Sequence, residues 1–108
     1  MYLKIDTTRQ DEVILELKDQ SKKIKDQIVK KRKKGSQVLL PSIVKILKKN
    51  KLELKDLIGI EVNPGPGSFT GTRVGVAVAN ALGFALKIPV NGKKGKIVIP
   101  KYAKSKFD

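Results

Sequence analysis

The sequence predicts an α/β fold: a small mixed sheet with helices packed on it, in the order β-β-β-α-β-α-β. Three observations carry that prediction. Short apolar runs separated by polar turns fill the N-terminal part of the chain up to Lys30, the pattern of a strand meander. Leu40, Ile43, Val44 and Leu47 fall at i, i+3, i+4 and i+7, the spacing of one helix face. The stretch Asn63–Leu86, NPGPGSFTGTRVGVAVANALGFAL, follows the apolar run Leu57–Val62 and reads as strand, tight loop, buried helix.

Taken in order, Tyr2–Asp6 alternates weakly and ends in Asp-Thr-Thr, a short strand whose last residues face a crevice. Arg9–Asp11 is a polar turn, and Glu12–Leu17 is the second strand. The brief connection predicts a hairpin. After a turn at Asp19–Ser21, Lys22–Lys30 has only Ile24, Ile28 and Val29 as apolar residues. It reads as a weak strand at the sheet edge, where lysines discourage edge-to-edge pairing. The basic turn Lys30, Lys31, Arg32, Lys33, Lys34 precedes Gly35. Ser36 is the expected N-cap of the first helix, with Pro41 in its opening turns. Lys45, Lys48 and Lys49 form its wet face, and Asn50 caps its end. Leu52–Leu57 connects, with room for one helical turn, to the strand Ile58–Val62. Ser68 is the expected cap of the second helix, Pro89 ends that helix, and Ile88–Val90 begins a short last strand. The two crossovers are expected to be right-handed.

Composition bounds what such a chain does. Its 108 residues make one domain with a modest core. The net charge of +14 rests on 21 lysines and three arginines, Arg9, Arg32 and Arg73. Attraction to RNA or to an acidic partner is one reading; a lysine bias on a solvated surface is the other. Arginine, the residue suited to bidentate phosphate recognition, is scarce. The chain has no cysteine and no histidine, which excludes disulfides, thiol chemistry, histidine-based triads and ordinary zinc sites. The N-terminus lacks a signal-peptide pattern, and the uncharged run Val74–Leu86 has 13 residues, too few to cross a bilayer. A soluble cytoplasmic protein is the expectation.

The loop offers Gly65, Gly67 and Gly71 around Ser68 and Thr70, able to present backbone N–H groups to an anion. It matches neither a Walker A loop nor GxGxxG, and the competing reading is a rigid turn that aims the helix. In that helix Gly71, Gly75, Ala79 and Gly83 recur every four residues, beside a second apolar face with Val74, Val78 and Leu82. Glycines inside a helix cost roughly 1 kcal/mol each, so close backbone approach is expected in return. That approach is either internal packing or contact with a partner. Asp6, Thr7 and Thr8 are the other chemical candidate, a strand-end carboxylate beside hydroxyls, able to orient a phosphate or a hydrated cation. Catalysis needs a second acid or base, and none falls in a comparable loop.

At Gly65–Gly75, with the small-residue helix after it and Ile88–Val90, the chain resembles the TsaB (YeaZ) family, non-catalytic partners in bacterial tRNA threonylcarbamoyladenosine synthesis. Ile5-Asp6-Thr7-Thr8 and the run from Leu39-Leu40-Pro41-Ser42-Ile43 to Leu47 match its other motifs. The likeness covers about residues 1–92, the expected domain, with 93–108 as a basic tail. A second α/β domain follows in the family; here the expectation is that it is absent, since Ile97–Ala103 looks like the family's C-terminal pattern. The resemblance implies an actin-like, ribonuclease-H-like half-domain without a cofactor or metal of its own. It also implies a TsaD-like catalytic partner, self-association, tRNA contact through the complex, and a TsaE-like ATPase that the missing domain puts in doubt. Pairing in the family uses two helices packed against their counterparts. Here that implies an interface of Leu40, Ile43, Val44, Leu47, Gly71, Val74, Gly75, Val78, Ala79 and Leu82, with Arg73 at the helix start and Asp6, Thr7 and Thr8 as a vestigial phosphate site. The alternatives are an RNA-binding module through Lys30–Lys34 and a stand-alone ATPase or peptidase.

Overall fold

Alternation builds the sheet. Leu3 and Ile5 in β1 (Tyr2–Asp6), and Val13, Leu15 and Leu17 in β2 (Glu12–Lys18), are buried, while the residues between them are only half-buried. A period of two puts all five on one face, and the antiparallel register sets Leu3 opposite Leu17 and Ile5 opposite Leu15. The structure, a computed structural model, describes residues 1–31 and 38–101. β3 (Ile24–Lys31) continues the meander antiparallel to β2 at the sheet edge, as expected. It starts at Ile24 rather than Lys22. Lys22 has a positive φ of 68° and its N–H donates to Asp19 O, so it belongs to the turn. Asp19 organises that turn by accepting from Ser21 and Lys23.

The chain returns through α1 (Leu39–Lys49), which packs over β2 and β3. Its buried side is Leu39, Ser42, Ile43, Ile46 and Leu47. Leu40 and Val44 are each 55% exposed. The stripe read from Leu40 is therefore turned: the core side is centred on Leu39, Ile43 and Ile46, and Leu40 and Val44 flank it toward solvent. Val38 occupies the N-cap position without a side-chain cap. The expected cap, Ser36, lies outside the described residues, as do Arg32, Lys33, Lys34 and Tyr102 onward. Asn50 closes the helix, its amide donating to Ile46 O at 2.7 Å. A single 3-10 turn, Leu54–Asp56, leads into β4 (Gly59–Val62). β4 lies parallel to β1, giving the strand order β3-β2-β1-β4.

α2 (Phe69–Leu86) then packs on β4 and β1, so both helices cover the same face. Ile60, Val62, Val76 and Ala79 join the strand residues and Leu39, Ile43, Ile46 and Leu47 in one core. Lys87, in the left-handed region, ends α2, and its N–H reaches Gly83 O. The expected last strand is reduced to Val90, a parallel bridge partner of Ile60. It takes the place of a fifth strand beside β4. Pro89 has no N–H to extend a ladder, and beyond Val90 it is the Asn91 side chain that pairs with Val62. The domain is a mixed α/β sheet with two helices on one side, the architecture expected from the resemblance.

Candidate functional site

The C-terminal ends of β1 and β4 lie side by side, with Ile5 paired to Val62. Each strand then turns away, β1 into Asp6-Thr7-Thr8 and β4 into Asn63-Pro64-Gly65-Pro66-Gly67. Crevices at such strand ends are where open α/β sheets place ligands. Here the two turns are tied to each other. Asn63 donates its amide to Asp6 Oδ2 at 3.2 Å, and Asn63 N–H reaches Ile5 O at 2.9 Å. Asp6 Oδ1 accepts from the Thr8 hydroxyl at 2.7 Å and the Thr8 N–H at 3.0 Å. Ser68 N–H donates to Thr8 O at 2.6 Å, and the buried Thr7 hydroxyl donates to Gly71 O at 2.6 Å.

The glycines serve the same clasp. A Cβ on Gly67 would lie 2.6 Å from Thr8 Cβ, one on Gly65 would strike Lys101 O, and one on Gly75 would strike Thr7 Oγ1. The Gly65–Pro66 bond is cis. Several N–H groups that an anion would need are already engaged: Gly65 with Asn63, Ser68 with Thr8, and Gly71 with the capping Ser68 hydroxyl at 3.3 Å. The loop and the Asp-Thr-Thr turn together launch and fix α2. Thr70 is exposed, and Arg73 is exposed with its guanidinium 5.3 Å from the Phe69 ring. Thr72 Oγ1, buried under Gly65, has no hydrogen-bond partner among the described residues.

Burial is the largest single influence on Asp6 and opposes its ionisation. The Thr8 hydroxyl and N–H, the Asn63 amide and the Lys4 charge together outweigh it and hold the carboxyl below its ordinary value. Asp6 is thus an anion at neutral pH whose oxygens are occupied within the clasp. Among the described residues no group of three acidic, histidine or cysteine side chains converges as a metal site would require.

The residues expected at a partner surface divide. Gly71, Gly75 and Ala79 are buried against the chain's own strands, and Ile43 and Leu47 lie in the core. This corrects their assignment to the partner surface: the small-residue stripe lets α2 lie against Thr7, and Gly83 lets it lie against Val90. Val78 and Leu82 are half-buried, while Leu40, Val44 and Val74 are exposed. Lys30 and Lys31 are exposed at the end of β3. Sequence reasoning missed Phe84, which is 89% exposed. Its signal was present: on a 100° wheel Phe84 lies opposite Gly71, Gly75 and Ala79, so an inward stripe forces it outward.

Comparison with known proteins gives a consistent result. The family model described as TsaD, tRNA N6-adenosine threonylcarbamoyltransferase, matches residues 24–92. A tRNA threonylcarbamoyladenosine biosynthesis protein TsaB from Buchnera aphidicola subsp. Schizaphis graminum is 44% identical over 54 residues, 50% of this chain and 26% of that protein. A tRNA N6-adenosine threonylcarbamoyltransferase from Nitrosospira multiformis is 48% identical over 54 residues, 50% of this chain and 16% of that protein. Among solved structures, YeaZ from Pseudomonas aeruginosa superposes with a TM-score of 0.73 at 28% identity, over 82% of this chain and 42% of that one. The matched region thus spans less than half of these relatives' length.

Proposed function

We propose that this chain, which belongs to the TsaD (tRNA N6-adenosine threonylcarbamoyltransferase) family and is similar within it to the TsaB (YeaZ) proteins, is a non-catalytic scaffold in threonylcarbamoyladenosine synthesis that pairs with a TsaD-like catalytic subunit. One observation carries the reading. α1 and α2 lie on one face of the sheet, and their outward side chains include the aliphatic Leu40, Val44 and Val74. Two helices that leave aliphatic groups in water gain roughly 25 cal/mol per Å² when helices from another subunit cover them. Val78 and Leu82 are half-buried beside the core. The non-catalytic part of the reading is supported by Asp6, the one carboxylate in the clasp, whose oxygens accept from Thr8 and Asn63. Lys30 and Lys31 would add to the tRNA-binding surface of the complex.

Co-expression with a TsaD-like subunit tests the pairing. Leu40→Glu with Val44→Glu should abolish co-purification while leaving the circular dichroism spectrum unchanged and the melting temperature no lower, because both positions are more than half exposed. A complex that survives the double substitution would rule out this face. Loss of a homodimer instead, with the TsaD-like subunit still bound, would assign the face to self-association. A reconstituted tRNA-modification assay with and without the chain tests the role itself; equal modification in both would end it.

A further inference from the structure

A second apolar surface shares no residue with the α1–α2 face, and it carries a different partner chemistry. The last turns of α2 and the segment from Ile88 to Ile97 enclose a groove of about 450 Å³. Such a volume lies within the range, about 300–1,000 Å³, of sites that hold drug-sized groups. Its depth comes from Gly83, where any Cβ would strike Val90. Ile88 and Val90 line its base, and Phe84 and Ile97, 89% and 78% exposed, stand at its open side. Four exposed lysines, Lys87, Lys93, Lys94 and Lys96, rim it, and among the described residues no acidic one lines it. None of the four forms an ion pair among the described residues. The C-terminal dipole of α2 contributes only about half a negative charge, so four ammonium groups dominate the field.

We propose that this groove docks an acidic amphipathic helix of a partner protein, its apolar face against Phe84 and Ile97 and its carboxylates on the lysines. Charge complementarity selects this occupant. A second copy of the chain brings the same lysines and meets like charge. RNA satisfies the lysines but brings no aliphatic groups for Ile88, Val90 and Ile97. The side-chain amide in the groove wall, Asn80, is turned to the Val98 backbone, with both bonds at 2.9 Å. An acidic amphipathic helix supplies both the apolar face and the charge.

Fluorescence anisotropy on the full chain tests this. The probe is a fluorescein-labelled helical peptide with leucine at i, i+3, i+4 and i+7 and glutamate elsewhere. The control is a scrambled peptide of equal composition without an apolar face. Binding should weaken tenfold or more for the scrambled peptide, for Phe84→Ser, and for Lys93→Glu with Lys94→Glu. It should be unchanged by Leu40→Glu with Val44→Glu, which separates this site from the α1–α2 face. Phe84 is exposed enough that Phe84→Ser keeps the fold, with melting as the check. Equal affinity for the scrambled peptide, or indifference to Phe84→Ser, overturns the proposal. So does Phe84-dependent self-association, or Phe84-dependent binding to single-stranded oligonucleotide or phosphatidylglycerol vesicles in place of the peptide.

Discussion

Gly75 and Thr7 form the contact on which α2 is seated. Any Cβ at position 75 collides with Thr7 Oγ1, and that hydroxyl is itself held by Gly71 O. Alanine is the better helix former by about 1 kcal/mol, but overpacking a close contact costs about 1–3 kcal/mol, and the lost Thr7 bond adds to it. Gly75→Ala should therefore destabilise the chain in urea unfolding. Thr7→Ala removes the colliding atom, so the double variant should be less unstable than the two single effects summed; simple additivity would mean that the two residues do not touch. Asp6 gives a prediction in pH. Its carboxyl is held below the ordinary value, against burial, by Thr8, Asn63 and Lys4, so the folded chain binds fewer protons than the unfolded one near that pKa. Its stabilising contribution is then complete above the unfolded value and lost as pH falls through the folded value. Asp6→Asn should show its full stability deficit near neutrality, and the two proteins should converge on acidification. Asp19 and Asp26 shift in the same direction, chiefly through hydrogen bonds from Ser21 and Asn50, but both are present in each protein and cancel in the comparison. A deficit that stays constant into acid would show that Asp6 acts through packing and not through charge.

The edge of β4 shows how an element is completed without a strand. Ile60 N–H donates to Pro89 O, Asn91 N–H donates to Ile60 O, and the Asn91 amide makes both the donor and the acceptor bond to Val62 at 3.0 and 2.8 Å. Asn91 has φ of 51°, a conformation asparagine tolerates better than most residues. Asn91→Ala should lose both bonds and part of the backbone preference, about 1–3 kcal/mol in all. The Val62 amide should exchange faster by hydrogen–deuterium exchange, and unchanged protection there would refute the edge-closing role. This side-chain substitution also explains where sequence reading stopped. The strands β1 and β2, both helices and the cap at Ser68 were legible because period, glycine loops and capping residues are local signals. Val90 as an isolated bridge residue in place of a strand was not, since it depends on Asn91 reaching a strand 29 residues away. The small-residue stripe was legible as a face, but periodicity does not say what a face meets. Only the close approach of Thr7 turns it inward and leaves Val74 and Phe84 of the same helix exposed.

Across the whole molecule, 24 lysines and arginines meet 10 acidic residues, for a net charge of +14. The ion pairs among the described residues lie at 3.2–3.7 Å on the surface, and Glu61 serves both Lys18 and Lys22. Surface pairs of this kind contribute about 0–1 kcal/mol each. Salt screens the pairs and the net repulsion alike, the Debye length falling from about 30 Å at 0.01 M to about 8 Å at 0.15 M. Pairs at contact distance lose little to that change, whereas repulsion among unpaired lysines spread over the surface loses most of its reach. The melting temperature should therefore rise as sodium chloride is increased over this range. Replacing Lys93, Lys94 and Lys96 with glutamine should raise the low-salt melting point and flatten the slope, since it removes from one rim three charges that make no ion pair among the described residues, without touching the core. A melting temperature that falls with salt would reverse the ranking and make the ion pairs, not the excess of lysines, the dominant electrostatic influence on the fold.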